Sequence, residues 1–338
     1  MNDKICVVYS HHKLGDLIWQ LPYIKAISKH HNTKVDIIVR SKTQAKNILK
    51  DTSYINDIFY NDFKKSFYYW IEVAKIFFLL KKNKYSHAYF LDKINRPAIA
   101  AFFARIPNRI GLGIDKQKKW LTNKSFLTAN DKIFLDYSDQ SKKFLELNGI
   151  QINNIIPNFE INNETLEKIN LTILSPAVDN ICLGVDSFEK YKIWKEENFA
   201  HLIDMLHDAN IAKKFFLISD PSRQEYSQKI LSLCKNKTCE DYSYLDLMGV
   251  IKVIKSSKMF IGNNSGPLNL SAALGVKSFG LIAADSSDEL KNSNIICITP
   301  TDYDKNKFSR DKIVRDRGNM DKLTVERVFS FIKEHLNF

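Results

Sequence analysis

The stretch KMFIGNNSGPLNLSAALG, residues 258–275, decides the fold because it contains a strand, a turn and a helix in direct succession. An apolar strand is followed by a loop of small residues and then by a helix, in which Pro267 suits the first position and Gly275 the position just past the end. A helix N-terminus of this kind offers free backbone N–H groups and the positive end of the helix dipole, which together can bind a diphosphate. The stretch lacks the GxxxxGK[ST] pattern of a P-loop. An ordinary strand-to-helix turn is the alternative interpretation.

The same alternation of short apolar strands and helices extends along the chain on both sides of this stretch. Strands are predicted at 5–9, 35–39, 57–60, 88–91, 181–185, 215–218, 258–261, 278–282 and 295–298. Such strands, separated by helices, imply parallel sheets that are covered on both faces. The pattern pauses in an Asn-rich segment near 153–179. We therefore predict two successive doubly wound α/β domains, 1–165 and 175–338, the second closed by a helix near 324–336.

The composition is that of a basic globular protein with 338 residues, 44% of them apolar, and a net charge of +12. Excess positive charge favours nucleic acid, an anionic membrane or a phosphorylated substrate, although a Lys-rich composition also becomes basic without such a partner. No nucleic-acid-binding module is recognisable, so we expect no nucleic acid partner. The five cysteines contain no CxxC pair and indicate reduced thiols, with neither a disulfide framework nor a zinc site.

The chain is expected to be cytoplasmic, because it shows no signal peptide and no apolar run of 18 residues. The nearest candidate for a membrane segment is FYYWIEVAKIFFLL, residues 67–80, which is flanked by pairs of lysines. Either this segment is a helix packed on a sheet, or it is a basic amphipathic helix that lies on an anionic membrane surface.

Two further loops follow predicted strands and could contribute chemistry. In SHHKLGDLI, residues 10–18, Gly15 permits a tight turn, and Asp16 lies near the start of a helix as either a cap or a functional carboxylate. In DSFEKYKIW, residues 186–194, a lysine could neutralise phosphates, or the loop could be solvated with Trp194 packed on the sheet. No GxGxxG pattern is present, which excludes the usual dinucleotide-binding oxidoreductase.

Taken together, these segments resemble glycosyltransferase family 9, the family of the ADP-heptose:lipopolysaccharide heptosyltransferases. The resemblance rests on LGDLIWQLP at 14–22, NRIG at 108–111, KIW at 192–194 with a following Phe199, and GNNSGPLNLSAALG at 262–275. It extends over most of the chain. It implies the GT-B architecture, in which two Rossmann-like domains face each other across a cleft, the first binding the acceptor and the second the nucleotide-sugar donor.

The resemblance also implies an inverting transfer that needs neither a metal nor a cofactor, and it assigns roles to individual residues. Asp16 is the expected general base, since direct inversion needs a single carboxylate. The expected donor-binding residues are Ser187, Lys192, Glu225, Asn263, Asn264, Ser265, Gly266, Pro267 and Asn269. Candidates to meet an anionic acceptor are His11, His12 and Lys13, with Arg96, Arg105 and Arg109 nearby.

Two residues depart from the family pattern, which has Asp where this chain has Asn264 and His where it has Asn269. We expect a monomer that transfers heptose from ADP-heptose to the lipopolysaccharide or lipooligosaccharide core, in peripheral contact with the cytoplasmic face of the inner membrane. The departures leave two alternatives open. One is a transferase that uses another nucleotide-sugar for a surface polysaccharide, and the other is a nucleotide-sugar-binding relative without catalysis. A nucleotide-sugar epimerase of the same architecture fits the LGD segment less well.

Overall fold

A computed structural model describes residues 3–11, 13–63, 68–173, 177–305 and 318–336, apart from the side chains of Phe134 and Glu289. The chain divides into two compact units, Met1–Ile161 and Asn162–Phe338. The predicted first domain ended at 165 and the predicted second began at 175. In the structure the short segment between them belongs to the second unit.

The first unit is built on a parallel sheet. Its strands are β1 (Ile5–Val8), β2 (Val35–Val39), β3 (Ile55–Tyr60), β4 (His87–Phe90) and β5 (Asn108–Gly111). Their order across the sheet is β3-β2-β1-β4-β5, which is a doubly wound arrangement with β1 at its centre. The helices are α1 (Leu14–Ile18), α2 (Leu21–His30), α3 (Ala45–Ile48), α4 (Tyr69–Asn83), α5 (Asn95–Phe103), α6 (Ala129–Phe134) and α7 (Tyr137–Leu147).

Helix α4 packs on this sheet through one stripe of its surface. Val73, Ile76 and Leu80 are buried in one core cluster with Cys6 and Val8 of β1. Their spacing of three and four residues is that of a helix face turned to a core. Residues 69–80 of the predicted segment therefore form a helix that packs on the sheet, while the opposite face of α4 is exposed and Phe67 lies outside the described residues.

The second unit repeats the architecture with a wider parallel sheet. Its strands are β6 (Asn180–Gly184), β7 (Lys214–Ile218), β8 (Cys239–Asp241), β9 (Met259–Asn263), β10 (Lys277–Leu281) and β11 (Ile295–Ile298). They lie in the order β11-β10-β9-β6-β7-β8. The helices are α8 (Asn163–Glu167), α9 (Glu196–Asp208), α10 (Glu225–Leu233), α11 (Leu247–Lys255), α12 (Gly266–Ala273), α13 (Gly318–Asp321) and α14 (Val325–His335).

The core of the second unit lies around the two central strands. Every residue of β6 and β9 is buried. Helix α9 buries Phe199, Leu202, Ile203 and Leu206 against them, which confirms the helix face predicted from the spacing of those residues.

The centre of the second sheet is also the point where the chain changes direction. Strands β6 and β9 are hydrogen-bonded neighbours, and the chain continues from β6 towards β7 and β8 but from β9 towards β10 and β11. Gly184 and Gly262 are register partners, and a Cβ on Gly262 would lie 2.8 Å from the carbonyl oxygen of Gly184. The loops that leave these two strands therefore start side by side, at the position where doubly wound proteins bind ligands.

The sequence predicts neither a disulfide framework nor a membrane-spanning helix. The five cysteines are free thiols, in line with the expected absence of a disulfide framework. Of the helices that the structure describes, none has the length and apolar character needed to cross a membrane.

Candidate active site

The loop between β9 and α12 forms the first part of the candidate site. Helix α12 begins at Gly266, its N-cap is Ser265 in an extended conformation, and no side chain caps it. Pro267 is thus the second helical residue and not the first, because the chain turns one residue earlier than predicted. Gly275 has a φ of +76° directly after the C-cap residue Leu274, as predicted for a glycine that ends a helix.

Three polar side-chain atoms at this helix start are buried without a hydrogen-bond partner among the described residues. They are Asn263 Nδ2, Ser265 Oγ and Asn269 Oδ1. The other ends of the two amides are engaged, since Asn263 Oδ1 accepts from the backbone N–H of Trp194 at 3.0 Å and Asn269 Nδ2 donates to the Ser265 carbonyl at 3.0 Å. A buried polar atom without a partner costs about 1–3 kcal/mol. All three lie around one helix N-terminus, which makes the start of α12 the candidate site for a polar ligand in the second unit.

Gly266, the first residue of α12, is not required by packing within the protein. A Cβ at this position would meet nothing within 4 Å. Among the described residues, the space on the side of Gly266 where a Cβ would stand is therefore open.

Residues 185–195, which follow β6, form the second part of the site. Ser187 is buried, and its hydroxyl donates to the carbonyl of Asn264 at 3.4 Å. Trp194 is fully buried and its indole N–H donates to the carbonyl of Leu323 at 2.7 Å. Together with its backbone contact to Asn263, this anchors the segment against β9 and confirms that Trp194 packs on the sheet.

Lys192 lies at the centre of a buried charge cluster. Its Nζ is 2.7 Å from Glu189 Oε2 and 3.1 Å from Asp285 Oδ2, and only 12% of its side chain is exposed. Burial alone would lower the pKa of Lys192, but Asp285 and Glu189 outweigh it and raise that pKa above its usual value. Lys192 therefore stays charged, and with both carboxylates ionised the cluster carries one net negative charge.

Asp285 is a functional candidate that the sequence did not reveal. It follows β10, and its Oδ2 accepts from Asn264 Nδ2 at 3.1 Å as well as from Lys192. Burial raises the pKa of Asp285, whereas Lys192 and Asn264 oppose that shift. An acidic residue just after a buried apolar strand was the available signal, but only the sheet order shows that this strand lies beside β9.

Glu225 also lies beyond the carboxyl ends of the strands, but it does not belong to the charge cluster around Lys192. It is the exposed first residue of α10, after the loop that follows β7. Arg223 in that loop donates to the carbonyl of Ser187, and the backbone N–H of Asp220 donates to Asp186 Oδ2 at 3.1 Å. The loops after β6 and β7 are thus tied together, and Arg223 is a further residue that sequence reasoning missed.

Asp16 of the first unit is not a helix cap. The N-cap of α1 is Lys13, and Asp16 is the third helical residue. Its side chain is 31% exposed, and its Oδ2 lies 3.6 Å from Nδ1 of His11. The cap interpretation is therefore wrong, and the carboxylate remains accessible beside an imidazole.

The predicted acceptor-binding residues have different surroundings. The ring of His11 stacks on Tyr9, with 5.0 Å between the ring centroids, and Lys13 is exposed. His12 lies outside the described residues.

Of the three arginines, two are used inside the fold. Arg96 is buried and donates to the carbonyl of Phe63 at 2.8 Å. Arg109 donates to the carbonyls of Trp120 and Ile106. Arg105 is exposed, whereas Arg96 and Arg109 are engaged by the local structure.

Comparison with known proteins places this geometry in context. Residues 73–315, more than half of the chain, match the family described as Glycosyltransferase family 9 (heptosyltransferase). No curated protein matches the chain significantly in sequence.

Several solved structures are similar to the whole chain. A glycosyl transferase of family 9 from Veillonella parvula is 19% identical, with a TM-score of 0.77 over 98% of this chain and 97% of that one. The ADP-heptose LPS heptosyltransferase II of E. coli is 16% identical, with a TM-score of 0.72 over 98% of each chain. The E. coli heptosyltransferase WaaC, with ADP-2-deoxy-2-fluoro heptose, is 15% identical, with a TM-score of 0.71 over 98% of this chain and 99% of that one. At these identities the likeness concerns the fold, and it confirms the predicted GT-B fold with two Rossmann-like units.

Proposed function

Because the chain belongs to glycosyltransferase family 9, we propose that this glycosyltransferase moves a sugar from a nucleotide-activated donor to the lipopolysaccharide or lipooligosaccharide core, heptose from ADP-heptose being the first candidate. The similar E. coli protein WaaC has been solved with ADP and with an ADP-heptose analogue, which supports an ADP-sugar as the donor to test first.

One observation supports donor binding more than any other. Three buried polar atoms that have no hydrogen-bond partner among the described residues surround the N-terminus of α12, at the direction change of the second sheet. In this proposal the diphosphate of the donor accepts from the backbone N–H groups at the start of α12 and from Ser265. Pro267 contributes no N–H, so the donors are the residues before it.

In the proposed reaction Asp16 is the general base. Its carboxylate takes the proton of an acceptor hydroxyl while that oxygen forms a bond to the anomeric carbon of the donor. The bond from the anomeric carbon to the diphosphate breaks on the opposite face, and its electron pair passes to the leaving diphosphate. The N–H groups of α12 stabilise this developing charge in place of a metal ion.

We assign the charge cluster to the donor sugar. Asn264 stands where the family has an acidic residue. Its side chain donates to Asp285, so the Asp285 carboxylate lies in direct hydrogen-bond contact with the side chain at that position. Asp285 would accept hydrogen bonds from sugar hydroxyls, and Lys192 would hold it in place.

A membrane-bound acceptor suits the exposed face of α4. Trp70 and Phe78 are 67% and 68% exposed on the side opposite the core, and Lys75, Lys81 and Lys82 are exposed on the same helix. Aromatic side chains interleaved with lysines favour the surface of an anionic bilayer. We propose that this face, called the α4 face below, brings the enzyme to its glycolipid acceptor.

Donor turnover tests the proposal directly. ADP-, UDP-, GDP- and CMP-sugars are incubated with deacylated inner-core acceptor, and free nucleotide is measured for the wild type and for Asp16→Asn. We expect acceptor-dependent release from one donor and a loss of roughly 100-fold or more in Asp16→Asn, in the range that a positioned base contributes. Nucleotide affinity, measured by calorimetry, should be unchanged in the variant.

The main alternative is a relative that binds nucleotide-sugars without turnover, which the replacement of the family's Asp and His by Asn264 and Asn269 would favour. Tight ADP-sugar binding with no acceptor-dependent release from any donor would support this alternative. Release that persists in Asp16→Asn would remove Asp16 from its proposed role.

A further inference from the structure

Three side chains of metal-ligating type converge at the amino-terminal ends of the strands of the first sheet, the end opposite Asp16. Asp3 precedes β1, His31 directly follows α2, and His87 is the first residue of β4. One ligand atom from each of the three lies within 4.8 Å of the other two. Because β1 and β4 are parallel neighbours, their amino ends meet here, whereas Asp16 follows the carboxyl end of β1.

The spacing suits a bound ion better than direct hydrogen bonds between these groups. Asp3 Oδ2 is 3.8 Å from His31 Nδ1, and Asp3 Oδ1 is 3.8 Å from His87 Nδ1. These distances are too long for hydrogen bonds. Tetrahedral ligands that lie about 2.0–2.2 Å from a zinc ion are separated from one another by roughly 3.3–3.6 Å. A small closure of the three side chains would therefore place them around one ion.

Each imidazole contacts a neighbouring hydroxyl group, but in a different way. Nδ1 of His87 both faces Asp3 and lies 3.0 Å from the hydroxyl of Ser86, so a bound ion would replace the Ser86 contact. In His31, Nδ1 faces Asp3 while Nε2 is 2.7 Å from the hydroxyl of Tyr89. Metal-binding histidines in proteins are held in this way, with one ring nitrogen on a polar partner.

We propose that Asp3, His31 and His87 form a binding site for a divalent transition-metal ion, with Zn²⁺ as the first candidate. Two imidazoles and one carboxylate are ligands that suit zinc, and water completes the coordination. The ion would join the start of β1 to the end of α2 and the start of β4. Because the ion would lie at the amino-terminal ends of the strands, away from Asp16, it would hold these elements together and take no part in the proposed transfer.

Zinc and cobalt titrations of the full chain, freed of any purification tag, test this site. We expect the wild type to bind one Zn²⁺ per chain in competition with a chromophoric chelator, to raise its Tm on binding, and to give Co²⁺ the visible absorption of a site with nitrogen and oxygen ligands. His31→Gln and His87→Gln should each weaken Zn²⁺ binding by at least roughly tenfold to 100-fold, as even the loss of an orienting neighbour does at other sites. Asp3→Asn, at a half-exposed residue, is a variant that should fold without difficulty.

His201→Gln is the matched control, because His201 is an exposed histidine of the second unit. It should leave stoichiometry, affinity and cobalt spectrum unchanged. Nucleotide affinity should be unchanged in all four variants, which separates this test from that of the proposed function. Binding of less than one equivalent by the wild type, or an affinity that Asp3→Asn and both histidine variants retain, would overturn the proposal.

Discussion

The ammonium of Lys192 lies between Glu189 and Asp285, and these two ion pairs set the charge of the proposed donor site. Two unit charges about 4 Å apart interact by about 4 kcal/mol at the effective dielectric constant of a protein surface. A diphosphate placed against this cluster would be attracted by one lysine and repelled by two carboxylates. In the proposed function, Lys192 would therefore act mainly through Asp285, and the backbone N–H groups of α12 would be the principal diphosphate partners.

The proposed role of Asp285 can be tested by moving the carboxylate. Asp285→Asn should lower kcat/KM for the sugar donor by roughly tenfold to 100-fold, because hydrogen bonds to a charged group contribute about 1.5–3 kcal/mol. The double variant Asn264→Asp with Asp285→Asn places the carboxylate at position 264, where the family has Asp. It should recover most of that loss. Steady-state kinetics with the donor identified in the turnover screen measure both variants.

ADP affinity is the control for this exchange of side chains. If Asp285 served only to hold Lys192 in place, Asp285→Asn would weaken ADP and ADP-sugar alike. We expect ADP binding to stay within about twofold of the wild type. Failure of the double variant to recover activity, with ADP binding intact, would contradict the assignment of Asp285 to the sugar.

At the scale of single elements, α12 shows how a short helix can serve a ligand. Its apolar residues Leu268 and Leu270 are buried, whereas its first residue, Gly266, faces open space. The end of the helix is different, since Gly275 has a φ of +76°, which side chains with a Cβ adopt at a cost. The glycines at the two ends of α12 therefore differ. Backbone conformation accounts for Gly275, which follows the helix, and the proposed function assigns Gly266 to ligand access.

Substitution of these two glycines should have opposite effects. Gly266→Ala should leave the free energy of unfolding unchanged or raise it by up to about 1 kcal/mol, yet it should weaken ADP binding by about tenfold because a methyl group intrudes on the diphosphate. Gly275→Ala should lower the stability by about 1 kcal/mol or more and leave ADP affinity unchanged. Urea unfolding and calorimetry provide the two readings, and an unaltered ADP affinity in Gly266→Ala would exclude this helix start as the diphosphate site.

Short edge strands were the elements that sequence patterns failed to predict. In β5, Ile110 is the single large apolar residue of Asn108–Gly111, and β8 reads Cys239-Glu240-Asp241. Both lie at the outer edge of a sheet. A strand at that position pairs with only one neighbour and does not need a continuous apolar run. Backbone pairing with β4 and β7 defines these strands, and it leaves no periodic signal in the chain.

At the scale of the whole molecule, the net charge of +12 and the α4 face carry the proposed attachment to a membrane-bound acceptor. Each lysine near an anionic surface contributes about 1 kcal/mol at physiological ionic strength, and buried aromatic area adds about 25 cal/mol per Å². In the proposed attachment, three lysines of α4 together with Trp70 and Phe78 would supply this binding energy without a membrane span.

Sedimentation with vesicles measures this attachment. The wild type should bind vesicles rich in phosphatidylglycerol, and roughly 0.5 M salt should release most of it because the lysine contribution is screened. Trp70→Ala with Phe78→Ser should reduce binding at least about tenfold while turnover of a soluble acceptor is retained. Tyr244→Ala, an exposed aromatic residue of the second unit, is the matched control and should bind as the wild type does. Equal binding by the Trp70 and Phe78 variant would exclude the α4 face.

The sequence by itself determined the two doubly wound units, the strand-loop-helix at 258–275 and the family, because these depend on local apolar periodicity, on helix-end residues and on short motifs. Only the tertiary structure placed Asp285 against Asn264 and Lys192, brought Asp3 to His31 and His87, and tied Arg96 and Arg109 into the fold. These partners lie on different strands and loops, far apart along the chain. Their contacts follow from the order and register of strands in each sheet, and no local pattern of residues specifies that order.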